Sequence, residues 1–112
     1  MTTERKYMPI INRGEVVKIY FDEIVYIESE SRKIIFHTDR NNYSTYRKIE
    51  DVTALLPDSF HRCHKSCIIN MEKVREMRDC VVYFENGMNI RMCRDKFAKS
   101  IQAYKGYLIR NA

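Results

Sequence analysis

Glycine and proline are scarce in this sequence, with 3 and 2 residues among 112. Internal repeats and low-complexity stretches are also missing, so we find no linker and expect a single domain over residues 1–112. No run of about 18 apolar residues, the length that spans a membrane, is present. Met1–Lys6 lacks the apolar stretch that follows the positive charges of a signal peptide. We therefore expect a cytoplasmic protein without a membrane partner.

Acidic residues are few in the second half of the chain. Residues 1–59 hold 9 basic and 10 acidic side chains, whereas residues 60–112 hold 11 basic and 5 acidic ones. The formal net charge of +5 therefore arises in the second half. We expect any surface that binds a polyanion such as nucleic acid to lie there, although basic composition alone does not specify such a partner.

Four cysteines allow either two disulfides or a metal site: Cys63, Cys67, Cys80 and Cys93. Without a secretory signal, reduced thiols are the expected state. Cys80 opens the apolar run Cys80–Phe84, and a small apolar side chain packs readily in a core. We therefore assign Cys80 to the core.

Turn residues divide the chain into short strands. Arg13-Gly14-Glu15 and Asp39–Asn42 each separate two apolar segments, which predicts two hairpins. Residues 24–29, rich in β-branched and aromatic side chains, predict a strand between them. Asn86-Gly87 predicts a third hairpin, because this dipeptide readily adopts the tight turn that joins two strands. The remaining predicted strands are 60–64, 67–70 and 74–78.

Two segments show helical rather than alternating spacing. Residues 47–56 place apolar side chains on one helical face and are followed by Pro57, which predicts a short amphipathic helix. From Asp95 onward, Phe97, Ile101 and Tyr104 recur at helical spacing and predict a second short helix. The predicted fold class is mainly β, an elongated scaffold of short, mostly antiparallel strands and hairpins with two short α-helices.

Residues 60–70 concentrate side chains that can carry chemistry. Four of them are potential zinc ligands: His61, Cys63, His64 and Cys67. Zinc motifs, however, pair two ligands with a second pair a dozen or more residues away, and His64 would face away from His61 and Cys63 on a strand. The same alternation separates the Cys63 thiol from the His64 ring, which argues against a nucleophile and its base.

A third interpretation of this segment is an exposed turn with Lys65 and Ser66 at its tip. A cation, an imidazole and a hydroxyl on a protruding loop suit phosphates and base edges in a major groove. Two neighbouring polar residues are assigned structural roles instead. Arg62 is expected to pair with a nearby carboxylate, and Asn70 to act as a capping or turn residue.

Four short sequence motifs occur in a characteristic order: Asp22–Glu28, Leu56–Phe60, Phe60–Ser66 continuing to Ile69-Asn70, and Cys93-Arg94. Together they resemble the LytTR family of DNA-binding domains of bacterial response regulators. Each motif alone is weak evidence for the family, but the order and spacing of the motifs together are specific. The resemblance spans about residues 9–102. Many members carry a receiver or other sensor domain ahead of this one, so the resemblance implies either a fragment lacking that domain or a stand-alone regulator.

The resemblance implies a mostly β fold whose loops enter two successive major grooves of double-stranded DNA. The predicted DNA-binding residues are Arg32, Lys33, His64, Lys65, Ser66, Arg94 and Lys96. Arg94 is the strongest candidate for a base contact, because a guanidinium can donate two parallel hydrogen bonds to guanine, and Lys65 is the next. Phosphate contacts are assigned to the remaining cations, Arg32, Lys33 and Lys96, and to Ser66.

The leading hypothesis is sequence-specific DNA binding at promoters for transcriptional regulation, with two copies, as a homodimer, on repeated half-sites. We assign no enzymatic activity, metal or cofactor. The alternative is a redox or metal sensor built on Cys63, Cys67 and Cys93, because a positive field from Lys65 and Arg94 favours the thiolate. A protein-interaction module that does not bind DNA is a third hypothesis.

Overall fold

Short strands dominate the computed structural model, which describes residues 5–112. Met1–Glu4, part of the segment used above to argue against a signal peptide, lie outside the described residues. The strands are β1 (Tyr7–Asn12), β2 (Glu15–Tyr20), β3 (Ile24–Glu30), β4 (Lys33–Thr38), β5 (Asn42–Tyr46), β6 (Phe60–His64), β7 (Cys67–Asn70), β8 (Val74–Arg78), β9 (Val81–Phe84) and β10 (Asn89–Arg91). The helices are α1 (Ile49–Thr53) and α2 (Arg94–Asn111). None of the helices in this part of the chain is long and apolar enough to cross a membrane.

The strands form antiparallel sheets with short connections. β1 pairs with β2, and β8, β9 and β10 form a three-stranded sheet in the order β10-β9-β8. The central sheet has five strands in the order β5-β4-β3-β7-β6. All three predicted hairpins are confirmed, including the one at Asn86-Gly87, where Gly87 adopts a φ of 94° that glycine tolerates without steric cost. The mainly β fold class is confirmed.

Both faces of the central sheet are covered by apolar side chains. One cluster lies between this sheet, the β1–β2 hairpin and α1, and includes Ile10, Phe36 and Val52. The other lies between the sheet, β8–β10 and α2, and includes Val82 and Phe84. The sheet is therefore the middle layer of the protein, and only its strand ends and turns remain open to a partner.

Strand β3 supplies both clusters because its regular alternation is interrupted. Ile24 and Ile27 belong to the first cluster and Val25 belongs to the second. The β3–β4 register shifts between Ile24 and Tyr26, which marks a β-bulge. An extra residue at a bulge lets side chains three positions apart face the same side of a sheet. This explains the nearly continuous apolar run at the start of β3.

The two helices differ in length from the sequence prediction. α1 is regular only over Ile49–Thr53, because Leu55 and Leu56 form tighter i→i+3 hydrogen bonds ahead of Pro57. α2 has 18 residues, rather than being a short helix. The helical spacing located both segments, and contacts with the strands and the core continue along α2 as far as Tyr107.

The assignment of Cys80 to the core is wrong. Asp79 and Cys80 form the two-residue turn between β8 and β9, with φ angles of 53° and 64°. Two successive positive φ angles match the twist of an antiparallel hairpin. Cys80, the first residue of the apolar run, therefore lies in the turn instead of in the strand. Cys80 is half-buried, and the strand begins at Val81.

Asn70 joins the central sheet to the 3₁₀ turn at Met71–Lys73, as predicted for a turn residue. Its buried side-chain amide donates to the Ile24 carbonyl at 2.8 Å and accepts from the Glu72 backbone N–H at 3.1 Å. Because the Asn70 side chain is buried, water cannot easily replace either hydrogen bond. The side chain therefore stabilises two backbone segments at once.

We predict that Asn70→Ala lowers the free energy of unfolding by about 1–3 kcal/mol, because a buried carbonyl and a backbone N–H lose their partner. Urea denaturation of the two proteins measures the difference. Asn42→Ala, an exposed asparagine at the start of β5, is the matched control and should change stability by less than about 0.5 kcal/mol. Equal losses in the two variants would contradict a structural role for Asn70.

Candidate nucleic-acid interface

The turn between β6 and β7 is held in place by hydrogen bonds at each of its residues. Ser29 N–H donates to the Ser66 carbonyl at 2.9 Å, which ties the turn to the end of β3. The Arg62 guanidinium donates to the Lys65 carbonyl at 2.6 Å, and Ser66 N–H donates to His64 Nδ1 at 3.1 Å. The turn is therefore ordered before any ligand arrives, which reduces the entropy lost on binding.

The bond from Ser66 sets the proton position on His64. Because Nδ1 accepts a hydrogen bond, the neutral ring carries its proton on Nε2. His64 is exposed, as is Lys65 at the tip of the turn. The turn thus presents an imidazole N–H and an ammonium group, both donors, to an incoming partner.

Arg62 supports this turn instead of extending from it. Its guanidinium also lies 3.3 Å from Glu50 of α1, so it links the carbonyl of Lys65 to a carboxylate. The prediction of a structural ion pair for Arg62 is confirmed. A hydrogen bond from the backbone of Glu50 itself lowers the pKa of its carboxyl group, and the hydrogen bond from Arg62 adds to this effect.

Helix α2 is docked on β6 and β8 by side-chain hydrogen bonds. His61 Nε2 lies 3.2 Å from Ser100 Oγ, and Tyr104 donates to the Val74 carbonyl at 2.8 Å. Burial lowers the pKa of His61, so the ring stays neutral beside this hydroxyl. The first turn of α2, with Arg94 and Lys96, is thereby fixed next to the β6–β7 turn.

The turn and the start of α2 enclose a cleft of about 590 Å³. We call it the first cleft. Its lining includes three of the predicted residues, His64, Ser66 and Lys96. Asn89 and Arg91 of β10 also line it, and sequence reasoning missed both. The sequence did contain a signal for Arg91. Ile90 packs inward, so on a strand the next residue, Arg91, faces outward, and it lies only three residues before Arg94.

Glu28 of β3 adds a carboxylate to the first cleft. Its Oε1 lies 2.9 Å from His37 Nε2, and the His37 ring stacks on Tyr26 with centroids 4.1 Å apart. The Glu28 side chain remains 42% exposed, so it can still accept from a ligand. A carboxylate repels phosphate but accepts from the amino group of cytosine. This cleft therefore combines a carboxylate that can accept from a base edge with Lys96, a cation that can bind a phosphate.

A second groove, of about 670 Å³, lies beside the first cleft, and Ser29 lines both. It contains the predicted Arg32 together with Arg47 and Lys48, which sequence reasoning missed. Arg47 N–H donates to the Arg32 carbonyl at 3.2 Å, because Lys33 pairs with Tyr46 in the β4–β5 hairpin. Three cations thus meet at one end of a hairpin. The predicted β4–β5 hairpin could have indicated Arg47 and Lys48, because its pairing places the residues after Tyr46 beside Arg32.

The other predicted residues are next in sequence to residues that line these hollows. Lys33 begins β4, Lys65 is at the tip of the turn and Arg94 begins α2, and all three are exposed. Asp95 follows in the first turn of α2, where a carboxylate is favoured by unpaired N–H groups. The three regions predicted from the sequence therefore occupy adjoining parts of one surface.

The cysteines are free thiols in the described chain, and residues 5–112 contain no group of three or more His, Cys, Asp and Glu side chains placed to hold a metal ion. His61, one of the four potential zinc ligands considered above, is engaged with Ser100. Cys63 and Cys67 line the first cleft together with Cys93.

Two curated relatives are larger than this chain. Accessory gene regulator protein A of Staphylococcus epidermidis is 32% identical over 77 residues, which cover 65% of this chain and 32% of that protein. Transcriptional regulatory protein YpdB of Escherichia coli K12 is 26% identical over 93 residues, covering 82% of this chain and 37% of that protein. The chain spans about a third of the length of these relatives.

A solved structure and a family model match most of the chain. The structure is described as the LytTr DNA-binding domain of a Bacillus cereus protein and has the same fold, with a TM-score of 0.74 at 18% identity. The match covers 92% of this chain and 99% of that one. The family model, described as the LytTr DNA-binding domain, matches residues 14–105. Because this range is well over half of the sequence, the chain belongs to the LytTr DNA-binding domain family.

Proposed function

We propose that this chain binds double-stranded DNA sequence-specifically at promoters and thereby regulates transcription. The observation that carries the proposal is the meeting of the β6–β7 turn and the start of α2 at one cleft, beside a groove with three further cations. The names of the relatives, an accessory gene regulator and a transcriptional regulatory protein, agree with this assignment.

The shape of the protein supports binding through loops rather than through a recognition helix. Its extents are 42 × 42 × 25 Å, and successive major grooves on one side of a duplex are about 34 Å apart. The broad face is thus long enough to reach two grooves. α1 has only five residues, and α2 buries Phe97 and Ser100 against the sheet. The exposed groups that remain are turns and the start of α2.

Chemistry divides the residues between bases and phosphates. Arg94 and Lys65, both exposed, are proposed to contact base edges, with His64 as a further donor. Lys33, Ser66 and Lys96, together with the second-groove cations Arg32, Arg47 and Lys48, are proposed to bind phosphates. Phosphate contacts fix the orientation of the protein on the duplex, whereas base contacts select the sequence.

We further propose that two copies occupy repeated half-sites, and that a receiver or sensor domain controls the DNA-binding domain in the full-length regulator. The relatives are about three times as long as the matched segment, which leaves room for such a domain in those proteins.

Selection of bound duplexes from random DNA, followed by titration at several salt concentrations, tests the proposal. We expect a recurrent half-site and an affinity that falls linearly in logarithmic plots against salt, with a slope of about −0.9 for each phosphate contacted. Failure to enrich any sequence, or a salt slope near zero, would show that the chain does not act on DNA in this way.

We predict that Arg94→Ala weakens binding to the selected sequence by roughly 10- to 100-fold, because a guanidinium that donates twice to guanine contributes about 1–3 kcal/mol of discrimination. Binding to random DNA should change much less. Fluorescence anisotropy with the two duplexes measures both affinities. Arg110→Ala, at the other end of α2, is the matched control and should leave both unchanged. Equal losses on both duplexes would refute a base contact.

Arg47→Ala is expected to weaken all DNA sequences alike and to reduce the salt slope by about one unit, because one phosphate contact is lost. The same titration measures this change. Arg40→Ala, in the turn at the opposite end of the β4–β5 hairpin and near Asp22 and Glu23, removes the same charge away from the proposed interface. A similar loss in the Arg40 variant would mean that net charge, and not the second groove, determines affinity.

A further inference from the structure

Cys63 and Cys67 lie together at the base of the β6–β7 turn. The register passes from Arg62↔Ile68 directly to His64↔Cys67, so Cys63 is the extra residue of a β-bulge. Two residues of a bulged strand face one residue of the partner strand, which places Cys63 beside Cys67. Cys63 Sγ lies 3.5 Å from the Cys67 carbonyl, to which it donates. The two side chains are adjacent without being bonded.

The first cleft gives small molecules access to this pair. Both cysteines line it, although Cys63 as a whole residue is only 5% exposed. A hydroperoxide is far smaller than a cleft of about 590 Å³. A large reagent, in contrast, does not reach a buried thiol easily.

The surroundings of the two thiols are electrostatically different. A hydrogen bond from the Cys67 thiol to the Cys63 sulfur lowers the pKa of Cys63 more than burial raises it, and the positive charge of Lys96 adds to this effect. The same hydrogen bond and burial raise the pKa of Cys67, and the carboxylate of Glu28, opposite Cys67 in the β3–β7 register, adds to that rise. Cys63 is therefore the thiol that ionises first, and the thiolate is the reactive nucleophile.

We propose that Cys63 and Cys67 form a peroxide-reactive dithiol that is reversibly oxidised to an intramolecular disulfide. The Cys63 thiolate attacks one oxygen of the hydroperoxide, whose O–O bond breaks, giving a sulfenic acid on Cys63 and water or an alcohol. The Cys67 sulfur then attacks the Cys63 sulfur and an S–S bond forms. The sulfenic hydroxyl leaves with the Cys67 proton as water. The two thiols lose two electrons in total, and the hydroperoxide gains them.

Oxidation also changes the turn that carries His64, Lys65 and Ser66. A disulfide removes the hydrogen bond from Cys63 to the Cys67 carbonyl and imposes its own distance and torsion on the two ends of the turn. We expect the oxidised protein to bind DNA more weakly. This consequence rests on the proposed function, whereas the thiol chemistry does not.

Titration of the reduced protein with hydrogen peroxide in the absence of DNA tests the dithiol. Free thiols should fall from four to two. Trypsin cleaves after Lys65 and so separates the two cysteines, unless a disulfide joins the fragments. Mass spectrometry should therefore find the Cys63 and Cys67 peptides linked in the oxidised protein and separate after reduction with dithiothreitol. Oxidation confined to Cys80 or Cys93, or the absence of linked peptides, would overturn the proposal.

Single variants assign the roles of the two thiols. Cys67→Ser should accumulate a sulfenic acid on Cys63, trapped by a cyclic diketone, because the second step is blocked. Cys63→Ser should lose the rapid reaction altogether. Cys93→Ser, which removes the exposed cysteine at the start of α2, is the matched control and should react like the parent protein. Circular dichroism establishes that each variant is folded. A Cys63→Ser protein that still consumes peroxide at the parent rate would refute the assignment.

DNA affinity of the reduced and oxidised forms tests the consequence. We expect oxidation to weaken binding about tenfold or more, as for loss of one good base contact, with recovery after reduction. Cys63→Ser should be insensitive to peroxide. Unchanged affinity after disulfide formation would overturn the regulatory effect alone. Absence of binding by the reduced protein would instead count against the proposed function, and the thiol measurements would be unaffected.

Discussion

Burial of both faces of the central sheet is the constraint on which the rest of the structure depends. β3 and β7 contribute side chains to apolar clusters on opposite sides, so their middle positions are unavailable to a polar ligand. A chain of this size can bury only a modest core, and it uses these strands for it. Functional groups are therefore confined to turns, strand ends and the first turn of α2. This geometry explains why loops, and not a helix face, form the candidate interface.

The interface is rigid because polar groups just behind it are satisfied by the scaffold. Arg62 and Ser29 hold the β6–β7 turn, while His61 and Tyr104 hold α2 against the strands. The side chains of Arg62, His61 and Tyr104 and the backbone N–H of Ser29 do not need to touch a ligand to affect binding. Their effect is to fix the positions of neighbouring exposed groups such as Lys65 and Arg94, so that less conformational freedom is lost when a ligand binds there.

The first cleft combines two kinds of chemistry in one place. Lys96 can neutralise a phosphate, and the same charge favours the thiolate of Cys63. Glu28 can accept from a base amino group, and its charge adds to the hydrogen bond and the burial that raise the pKa of Cys67. The electrostatics that suit nucleic-acid recognition therefore also distinguish the two thiols. Disulfide formation also requires that the two thiols be close together, and the β-bulge brings Cys63 beside Cys67.

The sequence by itself determined the mainly β class, the three hairpins, the positions of both helices and the family. Turn residues predict hairpins, residue spacing predicts helices and short motifs indicate the family, and all of these signals are local in the sequence. It also located the β6–β7 turn and Arg94, and it assigned structural roles to Arg62 and Asn70. Only the tertiary structure decided which distant groups meet: Arg47 and Lys48 with Arg32, Arg91 with His64, and His61 with Ser100. It also placed Cys80 in a turn and extended α2 to 18 residues. Strand pairing, the bulges and helix docking set these outcomes, and they depend on contacts between residues far apart in the chain, which local patterns do not encode.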